Sequence, residues 1–391
     1  MPGTNVAISG LGAISACGND LTETLQNFSA QKRNASKVTL FESSLDYPVF
    51  EVKNFIPLDP SAMRTLNLTF AAARQAVNAA GLGSGFGNLR VGICLGTTVA
   101  SQLNDTDFYR QYRDKGSAPM DSVERYLKSN LSKALAQFLK ISKINLCTTI
   151  VNACSSGTDA IGVGLSWLRN DYCDLVIAGG ADELNRVPLD GFGSLSVVSK
   201  DLCAPFDRER KGLNLGEGAG IIILEKESVC RSRGLTPELF LKGYGLAADA
   251  YHLTAPRPDG SGLEQALGQA LKEAGIKPQE IAFINAHGTA TKDNDLVEGR
   301  TISRVFGTKC VFLSTKGYTG HTLGAAGGLE AVFTCLGLRE GWVPANAGFS
   351  NPDPEIGIAP AKEKTQIMGN YALSTSLAFG GNNSALIFEK N

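Results

Sequence analysis

The sequence has no surplus of either charge. Its 37 Lys and Arg offset 38 Asp and Glu to a net of −1, so bulk electrostatics give no reason to bind nucleic acid or an anionic membrane surface. Long apolar runs are also missing: Gly and charge break the best candidates before they reach the ~20 residues of a membrane span. The N-terminus has no basic stretch followed by an apolar core, so no secretory signal is expected. Nine cysteines are present, an odd number without a C-x-x-C pair, which argues against a disulfide framework and against a zinc cage. A reducing, cytoplasmic location is the expectation, with no membrane span and no metal. Histidine is scarce, at three residues in 391, so the setting of each one carries information.

What is present is globular. The hydrophobic set makes up 43% and charged residues 19% of a length that admits several ordinary domains or one large two-part fold. Short apolar runs read as buried strands at Val6-Ala-Ile-Ser, Val91-Gly-Ile-Cys-Leu, Leu175-Val-Ile-Ala, Ile221-Ile-Ile-Leu, Ile281-Ala-Phe-Ile, Val311-Phe-Leu and Ala385-Leu-Ile-Phe. Helix-compatible stretches lie between them, among them Ala71–Ala80, Ser156–Leu168 and Gly262–Ala274. This alternation predicts an α/β fold with helices packed on sheets.

A weak internal repeat is superimposed on it. Cys154 opens a small-residue helix that is followed, some sixty residues later, by the Gly loop and apolar strand Gly216-Glu-Gly-Ala-Gly-Ile-Ile-Ile-Leu-Glu225. His321 opens another such helix, followed at similar spacing by Gly380-Gly-Asn-Asn-Ser-Ala-Leu-Ile-Phe-Glu389. Two copies of one α/β unit would explain this, with a break near Leu235–Gly245. Chance recurrence of a common loop-strand pattern is the alternative.

Cys154 differs from the other eight cysteines in its setting. It follows the strand-like Thr148-Thr-Ile-Val151 and precedes a helix, in Val151-Asn-Ala-Cys-Ser-Ser-Gly157. A thiol at a helix N-terminus meets unpaired N–H groups and the positive end of the dipole, so a lowered thiol pKa is expected. The usual fate of a cysteine is a small buried hydrophobe, and that reading is kept for the other eight. His287, in Asn285-Ala-His-Gly-Thr-Ala-Thr291, and His321, in Ser314-Thr-Lys-Gly-Tyr-Thr-Gly-His-Thr-Leu-Gly324, both follow apolar strands. Strand ends are where open α/β sheets present ligand-binding groups. Either histidine alone would read as structural, and two in matching contexts read as catalytic; His252 has no such context. A thiolate with two neutral imidazole donors suits thioester formation and stabilisation of an enolate. Hydrolysis needs only one histidine.

Lys316 and Glu330 flank the His321 turn and read as a buried ion pair that orders it. Asp295 and Glu298, after the His287 turn, read as carboxylates that fix that loop through backbone hydrogen bonds. Leu377-Ala-Phe-Gly-Gly-Asn-Asn383 could offer a backbone N–H to an oxyanion, with Phe379 covering the pocket. Gly10-Leu-Gly12 fails as a dinucleotide fingerprint because Ser15 occupies the third glycine position.

Taken together, Asn152-Ala-Cys-Ser-Ser-Gly157, Pro205-Phe-Asp-Arg-Glu-Arg-Lys-Gly212, Asn285-Ala-His-Gly-Thr289, Lys316…Gly320-His321…Gly327 and Phe379-Gly-Gly381 resemble the motifs of β-ketoacyl-acyl-carrier-protein synthases. They are most similar to those of the elongating ketosynthases with a Cys-His-His triad. The resemblance implies a thiolase-like αβαβα five-layered sandwich built from two related halves, taken as 1–240 with the nucleophile and 241–391 with both catalytic histidines. It implies a decarboxylating Claisen condensation in fatty-acid, polyketide or polyene synthesis. Cys154 would accept an acyl chain from acyl carrier protein, and His287 and His321 would assist decarboxylation of the malonyl partner. The backbone N–H groups of Cys154 and Phe379 would form the oxyanion hole, and Lys316 with Glu330 would organise the site. Thr289 and Thr291 would meet the phosphopantetheine arm, Gly380 and Gly381 would border the substrate, and Val99 would line the acyl pocket. No diffusible cofactor is implied, because the substrates ride on the carrier's arm. A homodimer is implied, or a heterodimer with a related ketosynthase or chain-length factor.

The chain departs from the family pattern in several places. Asn382 follows Phe379-Gly-Gly where Thr is usual, Lys292-Asp293 replace Pro and a small residue, and the helix that is often basic offers only Arg64. Arg64, Arg208, Arg210 and Lys211 are the candidates for meeting an acidic carrier protein. Two other readings compete: a Cys-dependent acyltransferase or hydrolase, and a carrier-protein-binding subunit of a heterodimeric ketosynthase.

Overall fold

Strands buried on both faces need continuous apolar sequence, and each apolar run picked out above falls in a strand. The computed structural model describes residues 4–83, 85–98, 106–127 and 130–391. Its strands are β1 (Val6–Ser15), β2 (Val91–Gly96), β3 (Ile144–Ile150), β4 (Leu175–Asp182), β5 (Gly218–Lys226) and β6 (Leu239–Ala248). They continue with β7 (Ile281–Asn285), β8 (Phe312–Leu313), β9 (Trp342–Val343), β10 (Thr365–Gln366), β11 (Tyr371–Ala378) and β12 (Asn382–Lys390).

Apart from the small β9–β10 pair, the strands run in the order β3-β2-β4-β5-β1-β6-β12-β11-β7-β8. Each half of that order repeats the other. The strands β3, β2 and β4 are parallel, as are β8, β7 and β11, and β5 and β12 then run antiparallel to both their neighbours. Among the described residues the two half-sheets pair where Val6–Ile8 lies against Leu239–Leu241. Helix Arg64–Ala79 covers the outer face of the first half-sheet, and helix Ser261–Ala274 covers that of the second. Helices Ser156–Arg169 and Ala326–Glu340 lie between the sheets and touch both. The result is the five-layered αβαβα sandwich built from two related halves.

The two inner helices meet backbone to backbone. A Cβ on Gly157 would stand 2.7 Å from Gly328 N and 2.8 Å from Gly324 O, closer than any side chain tolerates. This contact brings the turn before the first inner helix, which carries Cys154, against the turn before the second, which carries His321. Among the described residues no helix is long and apolar enough to cross a membrane.

Candidate active site

The chain leaves β3 through Asn152 and Ala153, and Ala153 holds a left-handed φ of +48° that costs a non-glycine residue about 1 kcal/mol or more. The strained turn is closed by local bonds: Ser156 N donates to Ala153 O at 3.2 Å, and Ser156 Oγ donates to the same oxygen at 2.6 Å. Cys154 follows at 4% exposure, on the wall of a cavity of about 360 Å³. Phe379 lines the same cavity. Burial pushes the Cys154 thiol up to about 12, with Lys316 and the Phe379 N–H opposing and Asp182 and Glu330 adding to the rise. The lowered thiol pKa expected from the helix N-terminus is therefore corrected, because enclosure outweighs it.

His287 and His321 come from β7 and β8 of the other half and meet at 5.2 Å between ring centroids, nearly perpendicular. Each has its proton placed by its partner. Lys316 Nζ lies 3.0 Å from His287 Nδ1 and also donates to His287 O at 2.6 Å. For His321, the N–H of Leu323 donates to Nδ1 at 3.3 Å. Both Nδ1 atoms act as acceptors, so both Nε2 atoms carry the hydrogen. Burial, then Lys316, then His321 hold His287 well below its ordinary value, and burial and Lys316 do the same for His321. The pair is neutral and donating at physiological pH.

Lys316 is 2% exposed and paired with Glu330 Oε1. Burial raises Glu330 to about 7 against the pull of Lys316. The His287 loop is pinned as its sequence suggested. Glu298 accepts from His287 N and Gly288 N, both at 2.8 Å, and Asp295 accepts from Thr289 N at 2.9 Å and Phe206 N at 2.6 Å. Asp182, on β4, accepts from Thr98 N at 2.8 Å and from Gly324 N at 2.7 Å, tying the first half to the His321 turn.

The cavity gathers Cys154, His287, His321, Phe379, Thr289 and Thr291, and the two threonine hydroxyls lie 2.8 Å apart. The Phe379 loop reaches the wall through Ala378 and Phe379. Gly380 and Gly381, at φ +89° and +80°, form the turn that follows and are not on the wall. Val99 lies outside the described residues.

Two of the carrier-protein candidates have partners within the fold. Arg64 is a structural partner of the fully buried Glu217, its Nε 2.8 Å from Oε2. Arg210, 5% exposed, donates to Asp207 O and Lys292 O, each at 2.9 Å, and pairs with Asp353. Both guanidiniums are held in ion pairs of the fold, Arg210 buried and Arg64 part-exposed. Arg208 and Lys211 stay exposed, and Lys211 borders the cavity. Sequence reasoning passed over Phe192, which stacks on Phe379 at 5.3 Å and meets His321 edge-on, because nothing local distinguishes it from a core phenylalanine.

Comparison with known proteins gives the same picture over the whole chain. Residues 56–229 match the model for the beta-ketoacyl synthase N-terminal domain, and residues 240–350 match that for the C-terminal domain. A 3-oxoacyl-[acyl-carrier-protein] synthase 2 from Synechocystis sp. is 34% identical, over 98% of both chains. Among solved structures, the ishigamide ketosynthase/chain length factor superposes with a TM-score of 0.93 at 30% identity, over all of both chains. A type II polyketide ketosynthase solved with its acyl-carrier protein and bound to a hexaketide superposes at 0.90 and 25% identity, again over all of both chains.

Proposed function

Because the chain belongs to the β-ketoacyl synthase family, we infer that the Cys154, His287 and His321 cluster carries out its carbon–carbon bond-forming condensation. The protein is an elongating β-ketoacyl-acyl-carrier-protein synthase, an acyltransferase whose partner is acyl carrier protein. The observation that carries the residue assignment is the convergence of one thiol and two Nε2–H imidazoles on a single cavity.

In the first half-reaction the Cys154 sulfur attacks the acyl thioester. The new C–S bond forms as the carrier's thiolate leaves, and the Cys154 proton ends on that thiol. The backbone N–H of Phe379, a residue of the same cavity wall, donates to the tetrahedral oxyanion. In the second half-reaction the malonyl carboxylate leaves as CO2, and its bonding pair becomes an enolate whose oxygen accepts from His287 and His321 Nε2–H. Neutral donors suit this role, since they stabilise the charge without quenching the carbanion. The carbanion attacks the acyl-Cys154 carbonyl, the Cys154 sulfur leaves and takes up a proton, and the product on the carrier is two carbons longer. Thr289 and Thr291 guide the phosphopantetheine arm along the wall, and Arg208 and Lys211 meet the acidic carrier. No diffusible cofactor enters these steps.

The exposed edge strand β3, with Ile144 40% and nearby Val151 67% exposed, favours a dimeric assembly, as a homodimer or with a chain-length factor. The test is intact-mass spectrometry after incubation with acyl-carrier proteins of graded length and then malonyl-carrier protein. A thioester adduct on Cys154 should form and discharge with a two-carbon extension, and Cys154→Ala should do neither. An adduct that only hydrolyses would return the assignment to an acyltransferase.

A further inference from the structure

A short chain of side chains ties the loop of Phe379 to the turn of Cys154. Asn382, the first residue of β12, donates Nδ2 to Asn152 Oδ1 at 2.8 Å. Asn152 donates its own Nδ2 to Asp159 Oδ2 at 2.6 Å. Asp159 is 5% exposed and also accepts from Ser155 Oγ, Tyr244 Oη and Ser384 Oγ. Donors therefore surround both oxygens of the carboxylate, and that fixes the polarity of the whole chain. Asn152 must turn its NH2 group toward Asp159, its amide oxygen then faces away, and residue 382 must supply a donor.

The two ends of this chain matter to the reaction. Asn152 immediately precedes the left-handed Ala153, and its carbonyl accepts from Ser155 N at 3.3 Å. It therefore sets the direction in which the nucleophile leaves β3. Asn382 closes the turn that begins at Phe379, which lines the same cavity as Cys154. Nucleophile and oxyanion donor come from opposite halves of the fold, and this is a polar side-chain contact that joins their two turns directly. We propose that Asn382 is a positioning residue: through Asn152, oriented by Asp159, it holds the Phe379 N–H in register with the Cys154 sulfur.

The proposal rests on the ketosynthase reading, and its test separates the two. Asn382→Asp keeps the size and reverses the polarity, setting an acceptor against an acceptor, while Asn382→Ala removes the contact. In steady-state condensation with acyl- and malonyl-carrier substrates, both should lower kcat roughly tenfold or more, because an oxyanion donor is displaced. KM for either carrier should stay within about threefold and the melting temperature within about 2 °C, since Asn382 is only partly buried and is not among the cavity-wall residues. Asn152→Ala should lose activity as well, and Asn382→Ala combined with it should lose no more, because both break one bond. An Asn382→Asp enzyme as active as wild type overturns the proposal, as do losses confined to KM or losses that multiply in the double variant. Wild type failing to condense in the same assay would overturn the ketosynthase reading with it. If Asn152→Ala does not fold, the comparison of Asn382→Asp with wild type decides alone.

Discussion

Replacing Lys316 with Met separates what holds the site together from what makes it work. The ammonium is 2% exposed and bonds Glu330 Oε1, His287 O and His287 Nδ1. Its loss strands a buried carboxylate, and removing one member of a buried pair costs about 3–5 kcal/mol. Unfolding entropy of about 2.1 cal/mol/K per residue over 391 residues comes to about 0.8 kcal/mol/K, so the melting temperature should fall by about 4–6 °C. Adding Glu330→Leu removes the stranded charge and should recover most of that loss. Activity should not follow. In both variants His287 Nδ1 lacks its donor, and the ring is free to carry its proton on the wrong nitrogen and to turn. Orienting partners of this kind are worth about 10–100-fold, so decarboxylation of malonyl-carrier protein should stay depressed by that factor. The assays are thermal denaturation and CO2 release. Recovery of CO2 release together with stability in the double variant would refute the tautomer argument and leave Lys316 a purely structural role.

Other expectations follow from the same geometry. Burial holds the Cys154 thiol protonated, so alkylation by iodoacetamide should climb about tenfold per pH unit between about pH 7 and 9; a plateau in that range would show an activated thiolate. Arg208→Ala and Lys211→Ala should raise KM for the carrier protein and flatten its salt dependence, whereas Arg210→Ala should leave both alone and lower the melting temperature. Gly157→Ala should cost about 1–3 kcal/mol or prevent folding, read by urea denaturation, because its Cβ has no room against Gly324 and Gly328.

The catalytic turns were readable because their signals are local. A cysteine between a strand-like run and a helix, and two histidines after apolar strands in Gly-rich turns, can be picked out within a dozen residues. The strand runs were readable for the same reason, since burial on both faces demands continuous apolar sequence. The ion pairs of Arg64 and Arg210 were not legible because their partners are remote. Glu217 lies 153 positions from Arg64 and Asp353 lies 143 from Arg210, and composition around an arginine does not reveal whether a buried carboxylate awaits it. The same distance hid the Asn382–Asn152 contact, which spans 230 positions. The thiol was misjudged because the dipole at a helix start is visible in sequence, while the enclosure that opposes it depends on residues from both halves.

The crossing of the two inner helices at Gly157 and Gly328 also bears on how such a site can change. Where backbones touch directly, the approach of the turns carrying Cys154 and His321 is limited by main-chain atoms of Gly157, Gly324 and Gly328. The cavity is also lined by the apolar residues Phe192, Leu195 and Val197. Selection can therefore resize the room for the acyl chain one residue at a time while the reacting groups keep their separation. The scaffold works as a fixed-gauge jig with an adjustable mould.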